Sequence, residues 1–482
     1  MSLARRTITS ISWKTVSNLA ASAVLFTRSI LLARILPVEI FGTYSFAGSI
    51  VGISALIVSF GMDWALVHRA PETEDEDLAA ATHFTLVLLF TLVWTFLYIA
   101  GAFIFASGQR RVALLLITLT TAGTQLLKTP QVILIRRVVH RRLALLQLVN
   151  AILPTLIAVG LAWRGATLWA LLSINLTTLI VDTIVLYVWK PVWKPHLLWS
   201  PARIRYLLGF GSRNILATLL LRVLNEVDDL WTGQFLGEGA LGFYSRAYAF
   251  ACYPSRILAA PVNAVATGSY AELKGQRVRL SKAFFRVNAL LVRSGFLFAG
   301  LFILAAPEYI RLVLGPKWLP MLGIFRLMLA FTLLDPIKAT VGNLFIAVGR
   351  PEVVVRARFV QLIILVLGLL VFGTLWGLTG VALAVDAMAV IGMAVLFKQA
   401  RVHVDFSLGR LFGAPSLALA LGMLLTYGVA TLPGIFSSDW QTAIVKTALF
   451  FLTYSGTLLI SERDQISEMW LMFLSLASRK TR

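Results

Sequence analysis

The sequence predicts an all-α polytopic membrane protein of about fourteen transmembrane helices, as two parallel six-helix lobes followed by two C-terminal helices. Three observations lead there. The 482-residue chain is 59% hydrophobic and 13% charged, with a mean hydropathy of +0.84, whereas soluble domains carry roughly 45–50% apolar and ~25% charged residues. Its apolar residues fall in blocks of about 20 or more, enough to cross a ~30 Å hydrocarbon layer as helices. A segment is also duplicated: Leu36-Pro37-Val38-Glu39-Ile40-Phe41-Gly42-Thr43-Tyr44-Ser45-Phe46-Ala47 recurs at positions 236–247 with Leu, Gly, Tyr, Ser and Ala in register.

The elements follow in order. Residues 1–14 are basic and Ser/Thr-rich and lead into an apolar run containing Arg28. That run is too long for a signal peptide, so 13–34 is an uncleaved first span. Span 43–62 precedes the acidic run Glu72–Asp77, which reads as a solvated loop. Spans 82–106, 112–134, 143–163 and 167–188 complete an N-terminal lobe, 1–190. A linker, 191–206, follows, and Pro201 to Leu208 is expected to lie at the membrane surface. Spans 207–236, 240–262, 286–306, 319–347, 354–375 and 378–397 form a C-terminal lobe, 207–400. Span 319–347 is overlong and interrupted by Asp335-Pro336. The region 401–482 holds two extra helices, 411–431 and 441–461, and a cytoplasmic amphipathic tail. In that tail Ile466, Met469, Trp470, Phe473 and Leu476 recur at helical spacing.

Charge supports the topology. With the N-terminus inside, about 27 Lys and Arg fall in inner loops against about 6 in outer ones. Both termini are then cytoplasmic. An even number of spans separates the two copies of the repeat, so the first span matches the seventh and the second the eighth. Lobes of one orientation relate by an axis along the membrane normal, with a cleft between them. The net charge of +21 does not indicate nucleic acid, because the cations form short clusters rather than a basic stripe with interleaved aromatics.

Catalytic signals are missing. The single Cys252 excludes an intramolecular disulfide and a cysteine metal cluster, and the five histidines are far apart. No phosphate-cradling Gly-x-x-x-x-Gly-Lys loop, nucleophile elbow or Asp-x-Asp pair occurs. The outer loops are short, which leaves no room for an outer catalytic domain. The chain reads as a non-enzyme.

Ionisable groups inside spans are costly and usually face a cavity. The cations Arg28, Arg222, Arg246, Arg256 and Arg293 lie at several depths and suit a large anion that crosses the membrane. Arginine stays charged when poorly hydrated and binds phosphate oxygens in a bidentate manner. On the seventh span Arg222, Asn225, Glu226 and Asp229 share a face about 100° wide, and Arg222 and Glu226 stand at i, i+4. Asp228 points away. Against this stands the alternative that each arginine caps a helix or pairs locally, and that the seventh-span cluster is an ion pair locking two helices. Lys128, Arg326 and Lys446 sit near span ends, where a long side chain reaches the interface without further meaning.

Leu32 to Tyr44 resembles the opening signature of polysaccharide-transport and Wzx-type flippases of the multidrug/oligosaccharidyl-lipid/polysaccharide (MOP) superfamily. Similar stretches are Asp228 to Tyr248 with its Leu-Gly-x-Tyr-Ser-Arg-Ala-Tyr core, Leu314 to Trp318, and Trp376 to Ala382. They follow the family's order over nearly the whole chain. The resemblance implies a V-shaped, MATE-like fold in a bacterial inner membrane. It implies a flippase turning undecaprenyl-pyrophosphate-linked oligosaccharide from the inner to the outer leaflet by alternating access, with glycan polymerase and export machinery as partners. It implies no cofactor beyond a coupling ion, Na⁺ or H⁺. Asp228 and Arg246 fall within matching motifs, while Glu226 and Asp229 are candidate coupling-ion ligands outside them. Three alternatives stay open: a cation-coupled drug antiporter, a peptidoglycan lipid-precursor flippase, and a non-transport scaffold for glycan polymerisation. Span cations outnumber span acids, which favours an anionic cargo.

Overall fold

A computed structural model describes residues 3–68, 76–137, 140–431 and 438–463. Arg69, most of the acidic run and the amphipathic tail lie outside them, as do the side chains of residues 1–16, 213 and 214. Among the described residues every regular element is helical. The first helices are α1 (Leu3–Ile35), α2 (Val38–Ser59), α3 (Met62–His68), α4 (Glu76–Phe105), α5 (Gly108–Leu126), α6 (Lys128–Arg136), α7 (His140–Trp163) and α8 (Leu168–Thr183). There follow α9 (Pro201–Phe235), α10 (Gly237–Ala251), α11 (Ala260–Glu272), α12 (Arg277–Tyr309), α13 (Leu322–Leu327) and α14 (Leu329–Val348). The chain closes with α15 (Pro351–Gly368), α16 (Thr374–Ala400), α17 (Leu408–Ala430) and α18 (Asp439–Ser461).

Ten of the described helices are long and apolar enough to cross a membrane, or up to twelve if each of two bent pairs is one span. The expected fourteen is not reached by this measure. Part of the gap is Pro351–Ala400, which passes as a single run. It contains two antiparallel halves, because α15 packs along α16 and the chain turns at Gly377, whose φ is +56°. Only glycine adopts that backbone without strain. The eighth expected span, 240–262, falls on α10 and a π-helical turn, and it is too short and polar to pass. The break expected at Asp335-Pro336 sits earlier, at Met328, and α14 runs through the proline.

Two compact units make up the chain, 1–245 and 246–482. The first reaches past the expected lobe boundary at 190 because α9 packs on α2, α3 and α4. Its helices approach at glycines: a Cβ on Gly61 would stand 2.9 Å from the Gly211 carbonyl oxygen. Pro201–Ser212 is set at 48° to Ile215–Phe235.

In the second unit, α12 and α18 lie antiparallel, joined by one buried ion pair and one partly buried one. Arg293 meets Glu462 at 2.5 Å with both side chains under 8% exposed, and Lys446 meets Glu308 at 2.6 Å. The Tyr454 hydroxyl donates to the Arg293 carbonyl (2.8 Å). Removing one partner strands a buried charge, which costs about 3–5 kcal/mol, whereas removing both is far milder. Arg293→Ala should therefore lower the thermal midpoint of the purified protein by more than Arg293→Met with Glu462→Met does. Equal losses would show that the pair is not desolvated. Asp405, between two spans, is clasped by Arg277 at the start of α12 through two contacts of 2.8 and 3.0 Å, and the guanidinium holds that carboxyl below its usual range.

Candidate functional site

Both copies of the repeat fold alike, as a helix, a one- or two-residue turn and a second helix: α1–α2 and α9–α10. They also meet each other. A Cβ on Gly42 would stand 2.6 Å from the Glu238 carbonyl carbon, and one on Gly242 would stand 2.9 Å from the Val38 carbonyl carbon. Each repeat thus presents its glycine to the other's backbone, a reciprocal crossing that no side chain fits. Glu238 secures it by accepting from Thr43 Oγ1 (2.7 Å) and pairing with Arg110. Arg110 also lies over the Phe46 ring.

Further along α2, away from this crossing, a cavity of about 430 Å³ opens between α2, α5, α8 and α9, wholly within the first unit. That is the size of an ordinary small-molecule site. Its wall on α5 is Ile117, Thr120, Thr121, Thr124 and Gln125, continued by Lys128 at the start of α6. This spacing is one face of a helix. Across from it stand Tyr44, Asn175 and Thr178. Tyr44 donates to Asn175 Oδ1 (3.0 Å), and Gln125 donates to the Ala55 carbonyl (3.0 Å), which fixes α5 on α2.

Among the described residues two cations reach the cavity, Arg222 and Lys128, and no carboxylate lines it. Arg222 is 41% exposed and held by Glu226 at 3.1 Å. Gly52 makes room for it, since a Cβ there would lie 3.1 Å from the guanidinium carbon. Lys128 arrives through a bend of 40° between α5 and α6. Pro130 has no N–H to give the Leu126 carbonyl, and the Tyr187 hydroxyl takes its place at 2.8 Å. The bend is therefore built into the sequence and stabilised from α8's end.

The predicted residues part company here. Arg222 and Glu226 pair as their spacing required. Ser49 Oγ lies 2.5 Å from Glu226 and 3.3 Å from Asp229, so those carboxylates share one hydroxyl on α2. Asn225 is exposed and does not line the cavity. Asp228 is buried and accepts from Tyr244, the repeat's second tyrosine, so it anchors α10 to α9. Arg28 is half-buried on α1, which packs along α7, and does not line the cavity. Arg246 and Arg256 belong to the second unit; Arg256 is exposed beside the Tyr253 ring. Arg293, expected on a cavity, is instead the buried partner of Glu462. Lys128, set aside as an end-of-span lysine, is a cavity cation. The signal for it was the threonine and glutamine face leading up to it.

This fold is shared with two solved structures of membrane transport proteins. The structure of lipid II flippase MurJ in an inward closed conformation matches with a TM-score of 0.75, at 16% identity over 95% of this chain and all of that one. An inward-facing MATE multidrug resistance transporter matches with a TM-score of 0.64, at 18% identity over 81% of this chain and 94% of that one. The chain itself belongs to the family described as polysaccharide biosynthesis protein, whose profile matches residues 31–323. Relatives include the succinoglycan biosynthesis transport protein ExoT of Rhizobium meliloti, 27% identical over 67% of this chain and 66% of its own. Another is an uncharacterised membrane protein in the cps region of Klebsiella pneumoniae, 23% identical over 80% of each. Its family and its ten to twelve apolar spans make this a multi-pass membrane protein.

Proposed function

We propose that the protein flips an undecaprenyl-pyrophosphate-linked oligosaccharide, a precursor of exopolysaccharide, O-antigen or capsule, across the inner membrane by alternating access, with both termini cytoplasmic. The cavity carries this reading: two cations and a wall of hydroxyls and amides, with no carboxylate among the lining residues. Pyrophosphate needs the former and sugar hydroxyls the latter. A cationic drug would meet Arg222 and Lys128 there rather than a lining carboxylate. The polysaccharide names of the relatives and the flippase fold support the same substrate class.

The test is reconstitution in liposomes. Lipid-linked oligosaccharide placed in one leaflet should become accessible to a non-permeant reagent at the other, faster than in protein-free vesicles. A scaffold gives no acceleration, and an antiporter instead discharges a drug gradient. Either result removes the flippase reading.

A further inference from the structure

Behind Lys128 lies a cluster of titratable groups that no role so far described uses. Lys128 Nζ is 3.4 Å from Asp63 Oδ2, with both side chains about one-quarter exposed. The other oxygen, Asp63 Oδ1, faces His83 Nε2 at 3.3 Å, and neither of these two atoms has a hydrogen-bond partner elsewhere among the described residues. His83 is fully buried, and its Nδ1 lies 3.0 Å from Thr129 Oγ1. Three helices, α3, α4 and α6, thus bring one acid and one imidazole together behind Lys128, which alone of the three lines the cavity.

Other charges on the surrounding helices are engaged elsewhere. Glu76 pairs with Arg137, Asp77 faces His196, Arg136 donates to the carbonyls of Leu66 and Val67, and Arg222 pairs with Glu226. His68 Nδ1 lies against the Trp64 carbonyl, Arg203 reaches Ser200, and Arg205 is exposed. The Arg213 side chain is outside the described residues.

We propose that Asp63, His83 and Lys128 form a proton site linked to the cavity: when an anionic head group draws Lys128 away, His83 takes up one proton. The inference rests on the cavity being an anion site. With the cavity empty, Asp63 is balanced by Lys128. With Lys128 turned to the anion, Asp63 is left facing His83 alone, and a partly buried charge is costly unless paired. Protonation of the imidazole restores the balance. Thr129 suits both forms, because its hydroxyl donates to a bare Nδ1 and accepts from a protonated one. Burial raises the Asp63 carboxyl, but His83 and Lys128 outweigh it and hold Asp63 below its usual range, so Asp63 is the anion of the cluster. Linkage is reciprocal: the anion binds up to about tenfold more tightly per pH unit as pH falls, the slope of one linked proton.

Calorimetric titration of the whole protein in lipid nanodiscs tests this. Pyrophosphate is titrated in two buffers of unlike ionisation enthalpy, between about pH 6 and about pH 8, where histidine changes charge. Proton exchange by the ligand itself is common to all variants and cancels between them. Wild type should take up close to one proton more per anion than His83→Gln, and the same excess over Asp63→Asn. Sulfate, which does not titrate in this range, should also bring net uptake in wild type, a result that needs no variant to fold. Equal proton counts with anion binding retained overturn this inference alone. Absence of saturable binding of either anion to wild type overturns the cavity reading together with it.

Discussion

Replacing Gly42 with valine should abolish export of surface glycan while leaving the protein in the membrane at near-normal amount. The first added carbon would already stand 2.6 Å from the Glu238 carbonyl carbon. The obstacle is backbone, so no rotamer change relieves it. Overpacking of this kind costs about 1–3 kcal/mol where neighbours can yield, and more where they cannot. Gly242→Val should do the same from the other side of the crossing. Gly160→Ala on α7 is the control, since a Cβ there meets nothing within 4 Å. Surface glycan in a complemented deletion strain is the readout, with the amount in the membrane fraction measured alongside. Full restoration by Gly42→Val would show that the two repeats need not close on each other.

Arg222→Ala should stop export as completely, by emptying the cavity of its better anion ligand. Losing the charge-assisted hydrogen bonds of one guanidinium costs about 1.5–3 kcal/mol, a loss of roughly tenfold to hundredfold in affinity for the head group. Lipid-linked precursor should accumulate in the strain carrying it. Arg222→Lys should restore export only in part, because an ammonium cannot replace a bidentate fork. Gly52→Val should reproduce the defect with Arg222 intact, by pushing the guanidinium out of its place. Normal export with Arg222→Ala would take this residue out of the binding site.

Much of this was legible in the chain. The repeat foretold two equivalent helix–turn–helix units, and the i, i+4 spacing foretold the Arg222–Glu226 pair, because both are local. The polar face of α5 was equally visible, as Thr120, Thr121, Thr124, Gln125 and Lys128 recur at helical spacing. Arg293 was not legible. Its partner Glu462 is 169 residues away, and no periodicity tells a buried staple from a cavity ligand when the deciding acid comes from another helix.

By itself, then, the sequence determined a polytopic helical chain with an internal duplication, since hydropathy and helical period act over one or two turns. The tertiary structure alone decided which cations face open space, that the two glycines of the repeat cross each other, and that Asp63, His83 and Lys128 converge. Those outcomes depend on which helices become neighbours, and neighbours are chosen by packing over the whole unit.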